Sequence, residues 1–388
     1  MTPDEYKKTM TFVERNKNAA EYSLWRWWKN YTWAKFLFFL SPFVTILIIL
    51  SIFLVPTMWG KCGETVRYHI VGTTLHVEGV GNMENYNHDP PWWPWHTLIR
   101  RVVVEDGVTS IGNDAFHEFW RLRSVEIPPS VTVIYGGAFR SCESLEEVNA
   151  PGVSVVFEEA FSGCTSLRTV TLCQWSPTVL MEAAFKDCSA LESVSMNEVV
   201  TLWAYCFDGC ASLDGLDYVL PERIGAFAFS GCSSLTSFPI ERTAEDSEDQ
   251  NRERVLRGAI GNGAFLRCSS LTRAELPEGV TVLPEHIFQD CTSLTDVTLP
   301  EGIQTIGEGA FYGCTALETL TLPESLRNIG KDAFTDCTGL TTLVIPDEIY
   351  RIDRTAFRRW TAAQTIVSPY VDIFSEGLID SQACVEQK

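Results

Sequence analysis

Cysteine, histidine and clustered charge are the residue types in this chain that could carry out chemistry. The sequence holds 13 Cys and 6 His in 388 residues. Thiols or imidazoles in close, regular spacing would bind zinc, and a thiol or hydroxyl beside a base would act as a nucleophile. The sequence contains no CxxC, HExxH, GxSxG or phosphate-binding GxxxxGK[ST] segment. We therefore expect no catalytic residue, no metal ligand and no cofactor, and a protein that is not an enzyme.

The positions of the cysteines follow a repeat instead. Nine of them stand three residues after a Phe, at Cys142, Cys164, Cys188, Cys210, Cys232, Cys268, Cys291, Cys314 and Cys337. Cys206 occupies another column of the same repeat. Because this spacing is set by the repeat and not by pairing, we expect buried free thiols, which behave as small hydrophobes. Cys62, Cys173 and Cys384 lie outside the columns, and their redox state stays open.

The repeat itself has a period of 22–24 residues, with one longer step of 36. Its marker Phe occurs eleven times, at Phe116, Phe139, Phe161, Phe185, Phe207, Phe229, Phe265, Phe288, Phe311, Phe334 and Phe357. An aliphatic residue stands five positions before each Phe, and a short alternating run such as LTDVTLP follows. One repeat cannot bury its own apolar side, but stacked repeats share a continuous core. This predicts an α/β-type repeat solenoid of about eleven coils, with one short strand per coil in a parallel sheet.

The ends of the array depart from the pattern. At the Cys position the first repeat has Phe119 and the last has Trp360. Terminal coils of solenoids are atypical because they must shield the open core. Pro94 and Trp92, Trp93 and Trp95 precede the first coil, between His88 and His96. We favour a cover for the first coil there; the alternative is a sugar or choline site.

The phrase IGxxAFxxCxxLxxVxLPxxV resembles the BspA-like leucine-rich repeat family of surface-antigen type. The match covers Val102 to about Ser368, and the segment Cys62–Tyr86 resembles the family's N-terminal β module. The resemblance implies a leucine-rich-repeat stack with a small β cap. It also implies a surface adhesion or interaction protein without catalysis.

A second feature is the segment 36–55, which has twenty residues without a charge. Twenty helical residues span the hydrocarbon core of a bilayer. The basic residues near it lie mostly on its N-terminal side, which predicts a cytoplasmic N-terminus and an extracellular or lumenal repeat domain. An organelle inner membrane is the alternative. The expected contacts with the membrane interface are Trp25, Arg26, Trp27, Trp28 and Trp33.

The predicted domains follow from these boundaries. They are an N-terminal segment 1–35, a transmembrane helix 36–58, a β cap 59–101, the solenoid 102–368 and a C-terminal cap or tail 369–388. The formal net charge of −20 and the pI near 4.7 argue against nucleic acid as a partner, because nucleic-acid binding needs a basic footprint.

Candidate partner-binding residues come from two places. The long step places an insertion at about 241–258, dense in both signs of charge, and insertions in repeat proteins map to loops. Its candidates are Glu245, Asp246, Glu248, Asp249, Arg252 and Arg254. The outward side of the predicted strands adds Arg273, Asp296, Thr298 and Thr321. A solvated loop and a solvated strand face are the alternatives.

Together these features predict a membrane-anchored leucine-rich-repeat protein that binds another macromolecule, a protein or a glycan, in surface adhesion or recognition. The alternative is a structural or accessory scaffold subunit of a larger membrane protein complex. The expected partners are therefore such a ligand or complex subunits, together with the lipid bilayer.

Overall fold

The computed structural model describes residues 58–214, 217–219, 223–238, 260–276, 278–372 and 380–388. From Met58 onward the chain forms one compact unit that ends at Lys388. Within it, the repeat is a coil that contributes to two columns of short parallel strands. The first column carries the alternating run after the repeat Leu, and the second carries the aliphatic residue before the Phe.

The N-terminal module begins with two antiparallel pairings and joins the solenoid by a parallel one. Its elements are β1 (Met58–Lys61), β2 (Arg67–Val71), β3 (Thr74–Glu78), β4 (Gly81–Asn82) and a 3-10 helix (Trp93–Trp95). β1 pairs with β2 and β2 with β3, and β3 then pairs in parallel with the first solenoid strand. The module therefore continues the sheet and protects its first edge.

Most strands of the first column alternate buried and outward-facing side chains where the side chains are described, as the period-two sequence predicts. It comprises β5 (Arg101–Val104), β7 (Ser124–Glu126), β9 (Glu147–Asn149), β11 (Thr169–Thr171), the first part of β13 (Ser193–Leu202), β14 (Asp217–Val219), β16 (Ser237–Phe238), β17 (Arg273–Glu275), β19 (Asp296–Thr298), β22 (Thr342–Val344), β24 (Thr365–Ser368) and β25 (Cys384–Gln387). β7, β9, β19 and β22 each bury their central Val or Leu and turn the flanking residues outward.

A second strand column runs beside the first, and the sequence did not predict it. It comprises β6 (Val108–Ile111), β8 (Val133–Ile134), β10 (Val155–Val156), β12 (Pro177–Leu180), the end of β13, β15 (Arg223–Ile224), β18 (Val282–Leu283), β20 (Thr305–Ile306), β21 (Asn328–Ile329) and β23 (Arg351–Ile352). β13 belongs to both columns, since it pairs with β11 and β14 and also with β12 and β15. The expectation of one strand per coil was therefore wrong.

The core is a ladder of stacked phenylalanine rings. All eleven repeat Phe side chains are buried. Neighbouring rings are stacked with centroids 5.2–5.8 Å apart, for example Phe161 on Phe185 at 5.2 Å. Phe229 and Phe265, on either side of the long step, stack at 5.5 Å with an interplanar angle of 2°. The insertion therefore leaves the core continuous.

The cysteine column has a polar role besides filling space. Each of the nine column thiols donates to the carbonyl oxygen of the Phe of the preceding coil at 3.0–3.3 Å. These bonds give buried carbonyl groups a partner. The prediction of buried free thiols is confirmed for the column, and Cys384 is the exposed cysteine.

Tryptophan closes both ends of this ladder. Trp92 is fully buried, stacks on Phe116 at 5.5 Å and donates its indole N–H to the carbonyl of Ala115. Trp360 packs edge-on against Phe357 and donates to the carbonyl of Phe334 at 2.8 Å. The last coil thus replaces the thiol donor with an indole donor that also covers the core.

In every coil but the last, two residues adopt left-handed backbone, two positions before and two positions after the Phe; the last coil has only Arg359. In the fifth coil these are Tyr205 (φ 59°) and Gly209 (φ 79°). Most coils place Gly, Asp or another small or polar residue there, as the left-handed region favours. The bulky exceptions matter for the surface described below.

Two sequence-based expectations need correction here. The α/β label is wrong, because the described coils consist of strands and turns, with one 3-10 helix in the cap. The predicted single-pass membrane location is also wrong: across 58–388, wherever the chain is described, no helix is long and apolar enough to cross a bilayer. Met58, the predicted end of the span, instead begins a strand. The remainder of 36–58, and the interfacial residues Trp25, Arg26, Trp27, Trp28 and Trp33, lie outside the described residues.

Candidate functional site

The strand face presents the outward side chains of the first column. Arg273 and Asp296 are partners in the register of β17 and β19, and their side chains approach to 3.4 Å. Arg273 also lies 3.5 Å from Glu275. Thr298, on the same strand as Asp296, and Thr321, in the next coil, are exposed. These ion pairs are solvated, so each adds little to stability and leaves its charges available to a partner.

The same face becomes aromatic at its N-terminal end. Trp59, His69 and His76 are cross-strand neighbours on β1, β2 and β3, and their rings stack at 4.3 and 4.7 Å. Trp59 keeps 57% of its surface exposed. Arg101 and Glu126 form an ion pair on the adjoining strands β5 and β7.

A second surface, which carries large apolar side chains, follows the second strand column. The position directly after the buried aliphatic residue is Gly in five coils, at Gly112, Gly225, Gly261, Gly307 and Gly330. In the second to fifth coils it is instead Tyr135, Phe157, Met181 and Trp203. Tyr135 and Phe157 are in ring contact at 5.0 Å, and half of Trp203 is exposed.

Two further aromatic residues extend this surface at left-handed positions. Tyr205 (φ 59°) and Phe227 (φ 57°) stack at 5.2 Å with an angle of 9°. A bulky residue in this conformation stores about 1–3 kcal/mol of strain. The Phe227 ring lies over Gly263, where a side chain would meet the ring at 2.4 Å. We call Tyr135, Phe157, Met181, Trp203, Tyr205 and Phe227 the aromatic patch.

One ion pair borders the aromatic patch. Lys186 lies 5.1 Å from the centre of the Tyr205 ring and 2.9 Å from the carboxylate of Asp208. The hydrogen bond to Asp208 raises the pKa of Lys186, so it stays charged. The cation lies over the Tyr205 ring, so a charged pair borders the aromatic patch at this point.

The residues predicted from the sequence fall into separate groups. Arg273, Asp296, Thr298 and Thr321 share the strand face, whereas Glu245, Asp246, Glu248, Asp249, Arg252 and Arg254 lie outside the described residues. Trp92 is buried in the core, and Trp93 is sandwiched between the rings of His96 and His117 at 4.2 and 4.5 Å. Covering the first coil thus accounts for Trp92. The aromatic patch was missed, although comparing the Gly column across coils would have revealed it.

Stacked coils with two strand columns, a repeat Leu and closing caps define a leucine-rich-repeat solenoid. The model of the BspA-type leucine-rich repeat region matches in 6 copies over residues 95–214 and 258–376. The match covers more than half of the chain, so the chain belongs to this family, and the predicted family is confirmed. Proteins of this repeat type generally mediate protein interaction or surface recognition and are typically non-catalytic.

Solved structures resemble the chain at low identity. A leucine-rich repeat protein from Bacteroides ovatus is 21% identical, with a TM-score of 0.40 over 84% of this chain and 99% of that one. The pneumococcal vaccine antigen PcpA is 16% identical, with a TM-score of 0.41 over 84% and 98%. A leucine-rich cell surface protein from Faecalibacterium prausnitzii is 22% identical, with a TM-score of 0.38 over 77% and 95%. No curated protein matches the chain.

Proposed function

We propose that this protein recognises a protein partner and that the aromatic patch is the centre of the contact. The observation that carries the proposal is the replacement of Gly by large side chains in consecutive coils. Trp and Tyr are the residues that most often dominate binding energy at interfaces. Met is over-used at surfaces that accept a partner's side chains.

The backbone supports the same conclusion. Tyr205 and Phe227 occupy left-handed positions that equivalent coils fill with Gly137, Gly263 and Gly309. A large ring there brings strain that Gly would avoid. Strain of this kind clusters at functional sites, so we interpret the two rings as retained for binding.

Charge selects the kind of partner. The chain carries a formal net charge of −20, which disfavours nucleic acid and other polyanions. The strand face, with Arg273, Asp296 and the threonines, supplies a polar surface of mixed sign. The predicted insertion 241–258 is a second polar contact in this proposal.

The test uses substitutions that the repeat itself tolerates. Trp203→Gly and Tyr205→Gly install the residue that equivalent coils carry, so the coil is expected to fold. Trp175→Ala is the matched control, because it removes an exposed Trp that is not part of the aromatic patch. Trp175 is 65% exposed and precedes β12, whereas the patch residue of that coil, Met181, follows β12. Proteins bound by the full-length chain are identified by crosslinking and quantitative mass spectrometry, and their affinities are then measured.

A hot-spot residue contributes at least about 2 kcal/mol, or about 30-fold in Kd. We expect both Gly variants to lose at least this much affinity and Trp175→Ala to keep wild-type affinity. Equal affinity of all variants would refute the proposal. Patch-dependent binding to a carbohydrate array, with no protein captured, would replace the protein partner with a glycan.

The scaffold alternative differs in the lifetime of the contact. A permanent subunit contact would bury the aromatic patch throughout purification, and the chain would co-purify with its partner at fixed stoichiometry. A transient recognition contact would give a chain that purifies alone and binds reversibly.

A further inference from the structure

Three possible metal ligands meet where the N-terminal cap joins the first coil, outside the surfaces described above. His88 comes from the cap, and Asp114 and His117 come from the turn around Phe116. One donor atom from each side chain lies within 4.8 Å of the other two. The Nδ1 atom of His88 is 3.4 Å from a carboxylate oxygen of Asp114. Residues 26 and 29 positions apart along the chain therefore converge on one point.

We propose that His88, Asp114 and His117 bind a divalent transition-metal ion of the Zn²⁺ class, in competition with the guanidinium of Arg140. Two imidazoles and a carboxylate suit Zn²⁺, Co²⁺ and Ni²⁺ better than Ca²⁺ or Mg²⁺, which prefer sets of oxygen ligands. Three protein ligands leave a fourth position for water or for a donor from a partner.

His117 is held in the form that a metal needs. Its Nδ1–H donates to the backbone carbonyl of Asp114 at 2.8 Å, which leaves the lone pair of Nε2 for an ion. Metal-binding histidines usually donate their other ring N–H in this way. The Trp93 ring stacks on His117 at 4.5 Å and fixes its plane.

The geometry needs only a modest closure. Bond lengths of about 2.0–2.2 Å place tetrahedral ligands about 3.4 Å apart. No pair of donor atoms is more than 4.8 Å apart, so closure to tetrahedral spacing needs at most roughly 1.4 Å. The His88 side chain is 60% exposed and can rotate toward the other two ligands. Asp114 and His117 are fixed by comparison, with 15% and 3% exposed.

Arg140 is the competing cation. Its Nη2 lies 3.2 Å from Nδ1 of His88 and 3.5 Å from Asp114, while its Nη1 bonds Glu159 at 3.0 Å. A metal ion would take the place of Nη2, and Glu159 would hold the displaced guanidinium. Arg140 also repels an incoming cation, so removing its charge should strengthen metal binding.

The test is Zn²⁺ titration by calorimetry and Co²⁺ titration by visible absorption, on the full-length chain without a metal-affinity tag. His88→Gly suits the left-handed backbone of His88 (φ 60°), and Asp114→Asn keeps the shape of the side chain. His76→Gln is the control, because it removes a histidine from a different surface. Thermal unfolding of each variant without metal verifies that it is folded.

We expect one Zn²⁺ per chain and ligand-field bands of Co²⁺ typical of fewer than six ligands. Loss of an outer-shell partner alone weakens metal sites about 10–100-fold. His88→Gly and Asp114→Asn should therefore weaken binding at least about tenfold, and His76→Gln should not. Arg140→Gln should bind more tightly than wild type.

Any of three results would overturn the proposal. One is Zn²⁺ affinity that is equal in wild type, His88→Gly and Asp114→Asn, which would assign the ion to the general acidic surface. A second is Arg140→Gln binding no tighter than wild type, which would refute the competition between the metal ion and the Arg140 guanidinium. Displacement of Zn²⁺ by millimolar Ca²⁺ would also contradict the ligand chemistry.

Discussion

Replacing Phe311 with Ala tests the physical basis of the solenoid. The ring is fully buried and stacks on Phe288 at 5.8 Å and on Phe334 at 5.5 Å. Phe→Ala in a core costs about 3–5 kcal/mol through lost burial and the cavity that remains. Two aromatic pairs are lost together, each with about 0.5–1.5 kcal/mol beyond burial. We therefore expect a loss at the upper end of that range, about 5 kcal/mol.

The assay is equilibrium urea unfolding of the full-length chain, followed by hydrogen exchange. Phe311→Leu is the matched control, since it keeps most of the volume and should lose clearly less stability. Coupling in a solenoid is to nearest neighbours, so exchange should rise in the coils of Phe288 and Phe334 before that of Phe139. A loss below about 1 kcal/mol would refute the Phe ladder as the core. A uniform rise of exchange along the chain would refute nearest-neighbour coupling.

Three further predictions follow from described contacts. Burial lowers the pKa of His117 below its ordinary 6.5. As the pH drops, the unfolded chain therefore takes up a proton at this residue before the folded chain does, and the free energy of unfolding falls below about pH 6.5. The urea midpoint should be lower at pH 5 than at pH 7.5, and His117→Asn should reduce this difference. Burial raises the pKa of column thiols such as Cys188 and Cys232, and that of Cys62 to about 12. The column thiols are also buried, whereas Cys384 is exposed. Thiol titration with DTNB should therefore detect Cys384 first and leave the column thiols unreacted until urea is added; rapid reaction of several thiols would contradict the buried column. Excising 243–254 should leave thermal stability unchanged, because the Phe229–Phe265 stack bridges the insertion. If the charged segment contacts the partner, the excision should weaken partner binding more at low salt than at high salt.

Much of the fold could be predicted because each position of the repeat occurs in an equivalent environment in many coils. The Phe column, the buried thiols, the period-two strand and the aromatic ends were all visible as spacing. The second strand column was missed because its strands, such as β8 and β10, are two residues long and show no alternation. The S–H donation of Cys142 and its equivalents was missed because it depends on the carbonyl of the preceding coil.

The candidate sites were harder to predict, for a related reason. In a repeat protein, a special surface is marked by positions that depart from the repeat. The change from Gly to Trp203 or Tyr205 is visible when the coils are aligned position by position. The left-handed backbone of Tyr205 and its stacking on Phe227 are visible only in the structure. The cluster of His88, Asp114 and His117 depends on how the cap folds onto the first coil. The sequence spacing of these residues resembles no ligand motif, so contact between them could not be inferred.

Because the ring ladder between Trp92 and Trp360 is built from equivalent units, the number of coils sets the length of the solenoid. Each internal coil offers the next one the same ring, the same carbonyl and the same strand edges, so any number of copies satisfies identical bonds. Gain or loss of one coil in evolution would change the separation of the two ends by about one strand spacing, roughly 4.8 Å, without redesigning either end. Selection can therefore adjust the distance between the His88 cluster and the last coil in discrete steps, while the chemistry at each point stays as it is.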